Sequence, residues 1–227
     1  AIANHQNNAD LMVSNTIFVG NFRDRTGYGG GIFVNSINNA KLEIRNCLFF
    51  GNSSTYGSAF YKRGESTINV YNTIIWENSK GENGLGYLGE WKTTVKEEGI
   101  PEQFPDDPNA KPTVFYTNNI IEAGWSDTRS FSSDPSFVDS NDPDGPDDIW
   151  FTEDDGLRLR EGSPAIDAGY NGSVALDKTD LDSDGDTDEQ SPLDILGYRR
   201  VQNGTIDIGP YEFGDSMIET FLVSAEV

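Results

Sequence analysis

The chain has 227 residues and a formal charge of -22, from 38 acidic against 16 basic side chains. That balance disfavours nucleic acid and anionic membrane surfaces as partners, since both are recognised by basic faces. One cysteine, Cys47, excludes an intrachain disulfide, and one histidine, His5, excludes a His-rich zinc site and any Ser/His/Asp triad not built on it. Hydrophobic residues make up 35% and aromatics 11%. This is too apolar for disorder and lean enough for a narrow core with much surface.

In chain order, four segments align on an asparagine. They are Leu11-Met-Val-Ser-Asn15-Thr-Ile-Phe-Val, Leu42-Glu-Ile-Arg-Asn46-Cys-Leu-Phe-Phe, Ile68-Asn-Val-Tyr-Asn72-Thr-Ile-Ile-Trp and Val114-Phe-Tyr-Thr-Asn118-Asn-Ile-Ile-Glu. Apolar and polar residues alternate, which predicts strands with one buried face. That face carries Leu11, Val13, Ile17, then Leu42, Ile44, Leu48, then Ile68, Val70, Ile74, then Val114, Tyr116, Ile120. Between the repeats, Tyr28-Gly-Gly-Gly-Ile-Phe-Val34 and Tyr56-Gly-Ser-Ala-Phe-Tyr61 match each other and predict a second strand per repeat. Gly20-Asn21, Gly51-Asn52 and Glu77-Asn78 recur at one place and read as corners, because Gly and Asn tolerate left-handed backbone.

Asn15 to Asn46 spans 31 residues, Asn46 to Asn72 26, and Asn72 to Asn118 46. Spacings in the twenties to low thirties fit one turn of a solenoid. The expected fold is therefore all-β, a right-handed parallel β-helix over residues 1–133; the alternative is a β-sandwich with coincidental asparagines. Stacked Asn15, Asn46, Asn72 and Asn118 are expected to hydrogen-bond to one another as an amide ladder. The long third spacing marks an insertion over about 80–112, rich in Gly and Pro. A short helix is expected near Trp91 to Glu98 within it, and the loop is either functional or a flap.

Residues 134–213 read as an irregular acidic cap and 214–227 as a tail. From Asp134 to Asp194 there are 19 acids and 3 bases. Asp180, Asp182, Asp184, Asp186, Asp188 and Glu189, with Gly185 after the third Asp, resemble the first half of a calcium loop. Ser191 stands where such a loop places its bidentate Glu, so Glu189 or Asp194 is expected to supply the late ligand. Asp139, Asp142, Asp144, Asp147 and Asp148 form a second candidate set. Ca²⁺ is the expected ion, since Mg²⁺ takes few carboxylates and several waters.

Leu157-Arg-Leu-Arg-Glu-Gly-Ser-Pro-Ala-Ile-Asp167-Ala-Gly169, Asp194-Ile-Leu-Gly197-Tyr-Arg-Arg200 and Ile206-Asp207-Ile-Gly209-Pro-Tyr211-Glu212-Phe213 together carry a family resemblance. They resemble the C-terminal signature of bacterial choice-of-anchor Q surface proteins, right-handed parallel β-helix proteins of the pectate-lyase-like superfamily. The resemblance implies export and an extracellular or cell-surface life, and no single activity. The Pro164–Gly169 and Asp207–Tyr211 segments are expected to close the open end of the solenoid, where backbone and core would otherwise be exposed.

Three roles remain open from the residues. The first is a calcium-stabilised structural or adhesive module that assembles with itself, as a filament, or with other surface proteins; an uncapped first strand would suit this. The second is a polysaccharide lyase or glycoside hydrolase, with Lys41, Arg45, Lys62 and Arg63 as candidate bases beside Glu65. The third is carbohydrate binding without turnover, with Trp91 as the ligand candidate and Trp76 assigned to the core. No stretch of the sequence is apolar enough for a membrane span.

Overall fold

The computed structural model describes residues 1–4, 10–22, 30–36, 41–54, 57–64, 67–78, 95–96, 113–122 and 129–214. Twelve strands lie in this part: β1 (Ile2–Asn4), β2 (Leu11–Ser14), β3 (Ile17–Val19), β4 (Ile32–Ser36), β5 (Lys41–Arg45), β6 (Leu48–Phe50), β7 (Phe60–Gly64), β8 (Thr67–Tyr71), β9 (Ile74–Trp76), β10 (Val95–Lys96), β11 (Thr113–Thr117) and β12 (Ile120–Ile121). They form three four-stranded sheets ordered β1-β4-β7-β10, β11-β8-β5-β2 and β12-β9-β6-β3, with every pairing parallel. Each strand thus pairs with the third strand after it, and each pass of the chain adds one strand to each sheet. The described residues hold no α-helix, only a 3₁₀ turn at Asn171–Ser173.

The pairing follows the repeats residue by residue. Leu11, Leu42, Ile68 and Val114 share one column, and Ile17, Leu48, Ile74 and Ile120 another. The two matched glycine-rich segments supply β4 and β7, with Ile32 opposite Phe60. Val95–Lys96 extend this first sheet as a strand, in place of the helix expected around them. The rest of the 80–112 insertion, Trp91 included, lies outside the described residues.

The asparagines of the four aligned motifs make no ladder with one another. Asn15, Asn46, Asn72 and Asn118 have φ of 46°, 48°, 48° and 54°, so each is itself the left-handed corner between two strands. The ladder sits at the next corner. Asn21 Nδ2 donates to Asn52 Oδ1, and Asn52 Nδ2 to Asn78 Oδ1, both at 2.8 Å. The backbone N–H groups of Asn21 and Asn52 reach the same two oxygens at 3.0 Å. At this corner Gly20, Gly51 and Glu77 carry the positive φ, at 59°, 61° and 51°. Where a preceding residue takes the left-handed turn, the asparagine is free to face inward; where none does, the asparagine must turn the chain itself. A shorter column of the same kind runs inside the first corner, from Cys47 N to Thr73 Oγ1 at 3.3 Å and from Thr73 N to Asn119 Oδ1 at 2.8 Å.

The left-handed corner also breaks the strand alternation. The interior between the sheets holds Val13, Leu42, Ile44, Ile68, Val70 and Tyr116, and past the corner it continues with Phe18, Phe49, Ile75 and Ile121. Phe18 stacks flat on Phe49, with ring centroids 4.6 Å apart. Ile17, Leu48, Ile74 and Ile120, expected on that same face, instead lie on the outer face of the third sheet. They are covered there by Phe137, Leu157, Leu159, Ala165, Ile208 and Tyr211. A sheet covered on both faces explains the unbroken apolar run Leu48-Phe49-Phe50, all three buried.

Those covering residues belong to 134–213, which runs along the flank of the third sheet and reaches all four aligned asparagines. The four corner asparagines hold it: Asn15 Nδ2 donates to Leu193 O at 3.2 Å, Asn46 Nδ2 to Gly209 O at 3.5 Å, Asn72 Nδ2 to Tyr170 O at 3.1 Å and Asn118 Nδ2 to Ala168 O at 3.0 Å. Covering this apolar sheet face removes a large area from water. We refer to this segment as the clamp.

Candidate functional site

The clamp has almost no regular structure, so its backbone N–H groups need other acceptors. Its aspartates supply them. Asp134, Asp139, Asp147, Asp184 and Asp186 each accept the N–H two residues on, at 2.7–3.0 Å. These are Asx turns, in which a short carboxylate mimics a backbone acceptor. Much of the acidity read as ligand spacing is thus turn chemistry.

The motif residues behind the family resemblance form a buried polar lock. Arg200 is fully buried and pairs with Glu212 at 3.1 Å. The same guanidinium donates to Gly209 O at 3.3 Å, to Pro210 O at 3.2 Å and to the Asn15 side chain. Glu212 accepts the Asp207 N–H at 3.0 Å. Asp207 accepts the N–H groups of Asp167 and Phe213, at 2.7 and 2.6 Å. Asp194 takes three more, from Leu196 and Tyr198 at 2.8 Å and from Glu212 at 2.9 Å. Asp194 is therefore committed to the lock, and the groups of facing carboxylates among the described residues do not include it. Burial raises the carboxyls of Asp194 and Glu212, against the pull of Arg200, and pushes Asp207 from its ordinary 3.8 up to about 6.

Among the described residues, three groups of carboxylates could hold a metal ion, each with its ligand oxygens within 4.8 Å of one another: Asp142, Asp144 and Asp148; Asp177, Asp182 and Glu189; and Asp180, Asp182 and Asp184. Asp177, from outside the expected loop, joins Asp182 and Glu189. Asp186 and Asp188 fall outside the groups, and Asp188 pairs with Lys178 at 2.7 Å. Asp139 and Asp147 likewise fall outside the 142–148 group. Gly185 makes the expected sharp turn, with φ of 91°. Desolvation and then the surrounding aspartates raise both Glu189 and Asp142. One oxygen each of Asp182 and Glu189 is buried with no hydrogen-bond donor. Two such oxygens in one acidic group are costly unless a cation neutralises them, so this donor set fits a hard ion.

Of the candidate bases, Lys41 and Arg45 both pair with Glu43. Arg45 also donates to Ser173 O at 2.6 Å and lies 4.7 Å from the ring centroid of Tyr71, which ties the second sheet to the clamp. The Glu43 hydrogen bond, foremost, raises the Lys41 ammonium, the opposite of what a base requires. The side chains of Lys62 and Arg63, and Glu65, lie outside the described residues. Cys47 is fully buried and burial pushes its thiol up to about 12, so it is an inert core residue.

A separate cleft of about 260 Å³ opens where the third sheet meets the clamp, walled by Trp76, Glu77, Asp134, Asp139, Asn141 and Arg160. The sequence places Trp76 in the core; it is half-buried, packing on one cluster and lining this cleft. No helix among the described residues is long and apolar enough to cross a membrane. No family model, curated protein or solved structure matches the chain.

Proposed function

We propose that the three parallel sheets are those of a right-handed parallel β-helix, and that the chain is a calcium-stabilised structural or adhesive module working outside the cell. The observation that carries this reading is the clamp. Four of its charged motif residues, Asp194, Arg200, Asp207 and Glu212, are spent on holding the stack together, and Lys41 and Arg45 are paired with Glu43. Such an arrangement stabilises a scaffold, and it holds Lys41 and Arg45 on Glu43 in place of a poise for proton abstraction.

Handedness follows the strong general preference of parallel crossovers. Calcium is favoured over magnesium by the density of carboxylates, with Asp177, Asp182 and Glu189 as the best-supported ligands because one oxygen each of Asp182 and Glu189 is buried without a donor. Ca²⁺ there would screen repulsion within the acidic turn and fix its path. The surface setting and the likeness to choice-of-anchor Q proteins rest on the clamp motifs of the sequence.

The test is thermal melting with light scattering, in Ca²⁺ and then in excess chelator. Ca²⁺ is expected to raise Tm by about 5 °C or more, as a ligand that binds only the folded state does. Mg²⁺ at equal concentration should not reproduce the rise, and Asp182→Asn should lose most of it. Equal Tm in both solutions would overturn the calcium reading. A large assembly that dissociates in chelator would extend the structural reading to a filament joined by this turn. Reducing ends or unsaturated products from a polysaccharide panel would overturn the non-catalytic role.

A further inference from the structure

We propose that Asn203-Gly204, at the tip of a hairpin in the clamp, is a site of spontaneous backbone modification, where the asparagine amide is lost and aspartate and isoaspartate form. The reaction draws on this chain and water alone, and it is independent of calcium and of the role proposed above.

Asn-Gly occurs at Asn83, Asn171 and Asn203. The first lies outside the described residues, and the structure separates the other two. Asn171 Nδ2 donates to Gly204 O at 2.9 Å, and Asn171 Oδ1 accepts the Ile206 N–H at 3.1 Å, so this amide is pinned at both ends. Asn203 is exposed, and its amide makes no hydrogen bond among the described residues. Gly204 is exposed as well, and its N–H donates to no described group. With φ of 50° at Asn203 and 88° at Gly204, and the Thr205 N–H on Gln202 O at 3.0 Å, the pair makes a two-residue type I′ turn. A Cβ placed on Gly204 would meet nothing within 4 Å, so the tip has room to rearrange.

The reacting groups sit on adjacent residues, so orientation is the main barrier. Rotation about Asn203 brings the Gly204 nitrogen onto Asn203 Cγ, and glycine adds no side chain to obstruct it. A bond forms between that nitrogen and Cγ, the nitrogen's proton passes to solvent, and Nδ2 takes up a proton and leaves as ammonia. The five-membered imide so formed joins the Gly204 nitrogen to both carbonyl carbons of Asn203. Water then opens it. Attack at Cγ gives aspartate. Attack at the main-chain carbonyl breaks the original peptide bond and leaves the chain running through Cγ, as isoaspartate. Water enters, ammonia leaves, and no electrons are exchanged. The two products act differently on the fold. Aspartate tolerates the left-handed turn much as asparagine does. Isoaspartate adds a carbon to the main chain of a two-residue turn and shifts Gly204 O, the acceptor that holds Asn171. Asn171 O in turn accepts Gln190 Nε2 at 2.7 Å, and the preceding Tyr170 is the clamp's contact with Asn72. The protected Asn-Gly pair thus leans on the turn made by the reactive one.

The experiment is peptide mass spectrometry of the whole chain after incubation in mildly alkaline buffer, folded and in urea, with electron-transfer fragmentation to tell isoaspartate from aspartate. In the folded chain Asn203 is expected to convert at least about tenfold faster than Asn171. In urea the two rates should agree within about threefold, because unfolding frees both amides. Asn203→Gly, which favours the same turn, should remove both products and leave Tm unchanged. The isoaspartate fraction, separated by chromatography, should melt about 2–4 °C below Asn203→Asp, which carries the new charge without the added carbon. Equal rates at Asn203 and Asn171 in the folded chain, or aspartate without isoaspartate at Asn203, would overturn the proposal. An isoaspartate fraction that melts together with Asn203→Asp would overturn the link from this turn to Asn171.

Discussion

The stacked strands and the clamp solve the same problem by opposite means. In the strands, backbone groups pair with the next pass, and one rule of apolar columns is applied again and again. In the clamp, backbone groups pair with aspartate side chains, and a buried ion pair, Arg200–Glu212, stands where the strands have periodic packing. The first arrangement spreads its stability over many similar contacts. The second concentrates it in a few residues that have no substitute. The contrast says where the molecule is brittle.

The largest expected effect of a single substitution is therefore in the clamp. Arg200→Met removes the bonds to Glu212, Gly209, Pro210 and Asn15 and strands a buried carboxylate, a loss of about 3–5 kcal/mol in urea unfolding. Arg200→Met combined with Glu212→Leu should lose less than Arg200→Met alone, because no buried charge is left unpaired. A double variant as unstable as the sum of its parts would show that the two do not act as a unit.

The same contrast has a pH signature. Asp207, with its carboxyl pushed up to about 6, binds its proton more tightly folded than unfolded. Its contribution to stability is full below about pH 4 and is lost as pH rises through 6, a difference of about 3 kcal/mol at most. Asp194 and Glu212 shift in the same direction. In chelator, Tm at pH 5 should exceed Tm at pH 8; the reverse order would mean that these carboxyls are not buried in solution as they are here.

Among the strands the effects are smaller and differ between two sets of asparagines. Asn52→Ala breaks the middle of the ladder and leaves Phe18 O and Asn78 Oδ1 short of donors, about 2–3 kcal/mol. Asn46→Gly removes one long bond of 3.5 Å and relieves a left-handed turn, so it should cost under about 1 kcal/mol. Equal losses in urea unfolding would erase the distinction between ladder and corner.

That distinction also marks how far the sequence can be read. The repeats, the parallel register and the all-β class follow from aligned asparagines and alternation, because each pass obeys the same local rule. The role of those asparagines does not. Alignment reports a period and not a dihedral angle; only the glycine before Asn21 and Asn52 hints that the left-handed turn is taken elsewhere there. Parity fails at Asn46 for the same reason, and Leu48 passes to the outer face. In the clamp, an aspartate that caps a turn and one that faces a metal have the same letter. Asp184 and Asp186 look alike by spacing, yet only Asp184 joins a group of facing carboxylates. Asp177 joins one from outside the motif, through folding that spacing does not encode. Trp76 is hidden similarly, since its neighbours in the cleft lie about 60 residues downstream.

The clamp's four asparagine contacts have one further consequence. The carbonyls of Ala168, Tyr170, Gly209 and Leu193 each take the side-chain amide of a different pass, so the clamp measures the stack like a ruler with four marks. Ordinary repeat arrays gain and lose units with little penalty, because each unit knows only its neighbours. Here the deletion of one unit would leave a mark without a counterpart and shift the rest out of step. Length, elsewhere the most variable property of a repetitive protein, is in this stretch a quantity the fold itself counts.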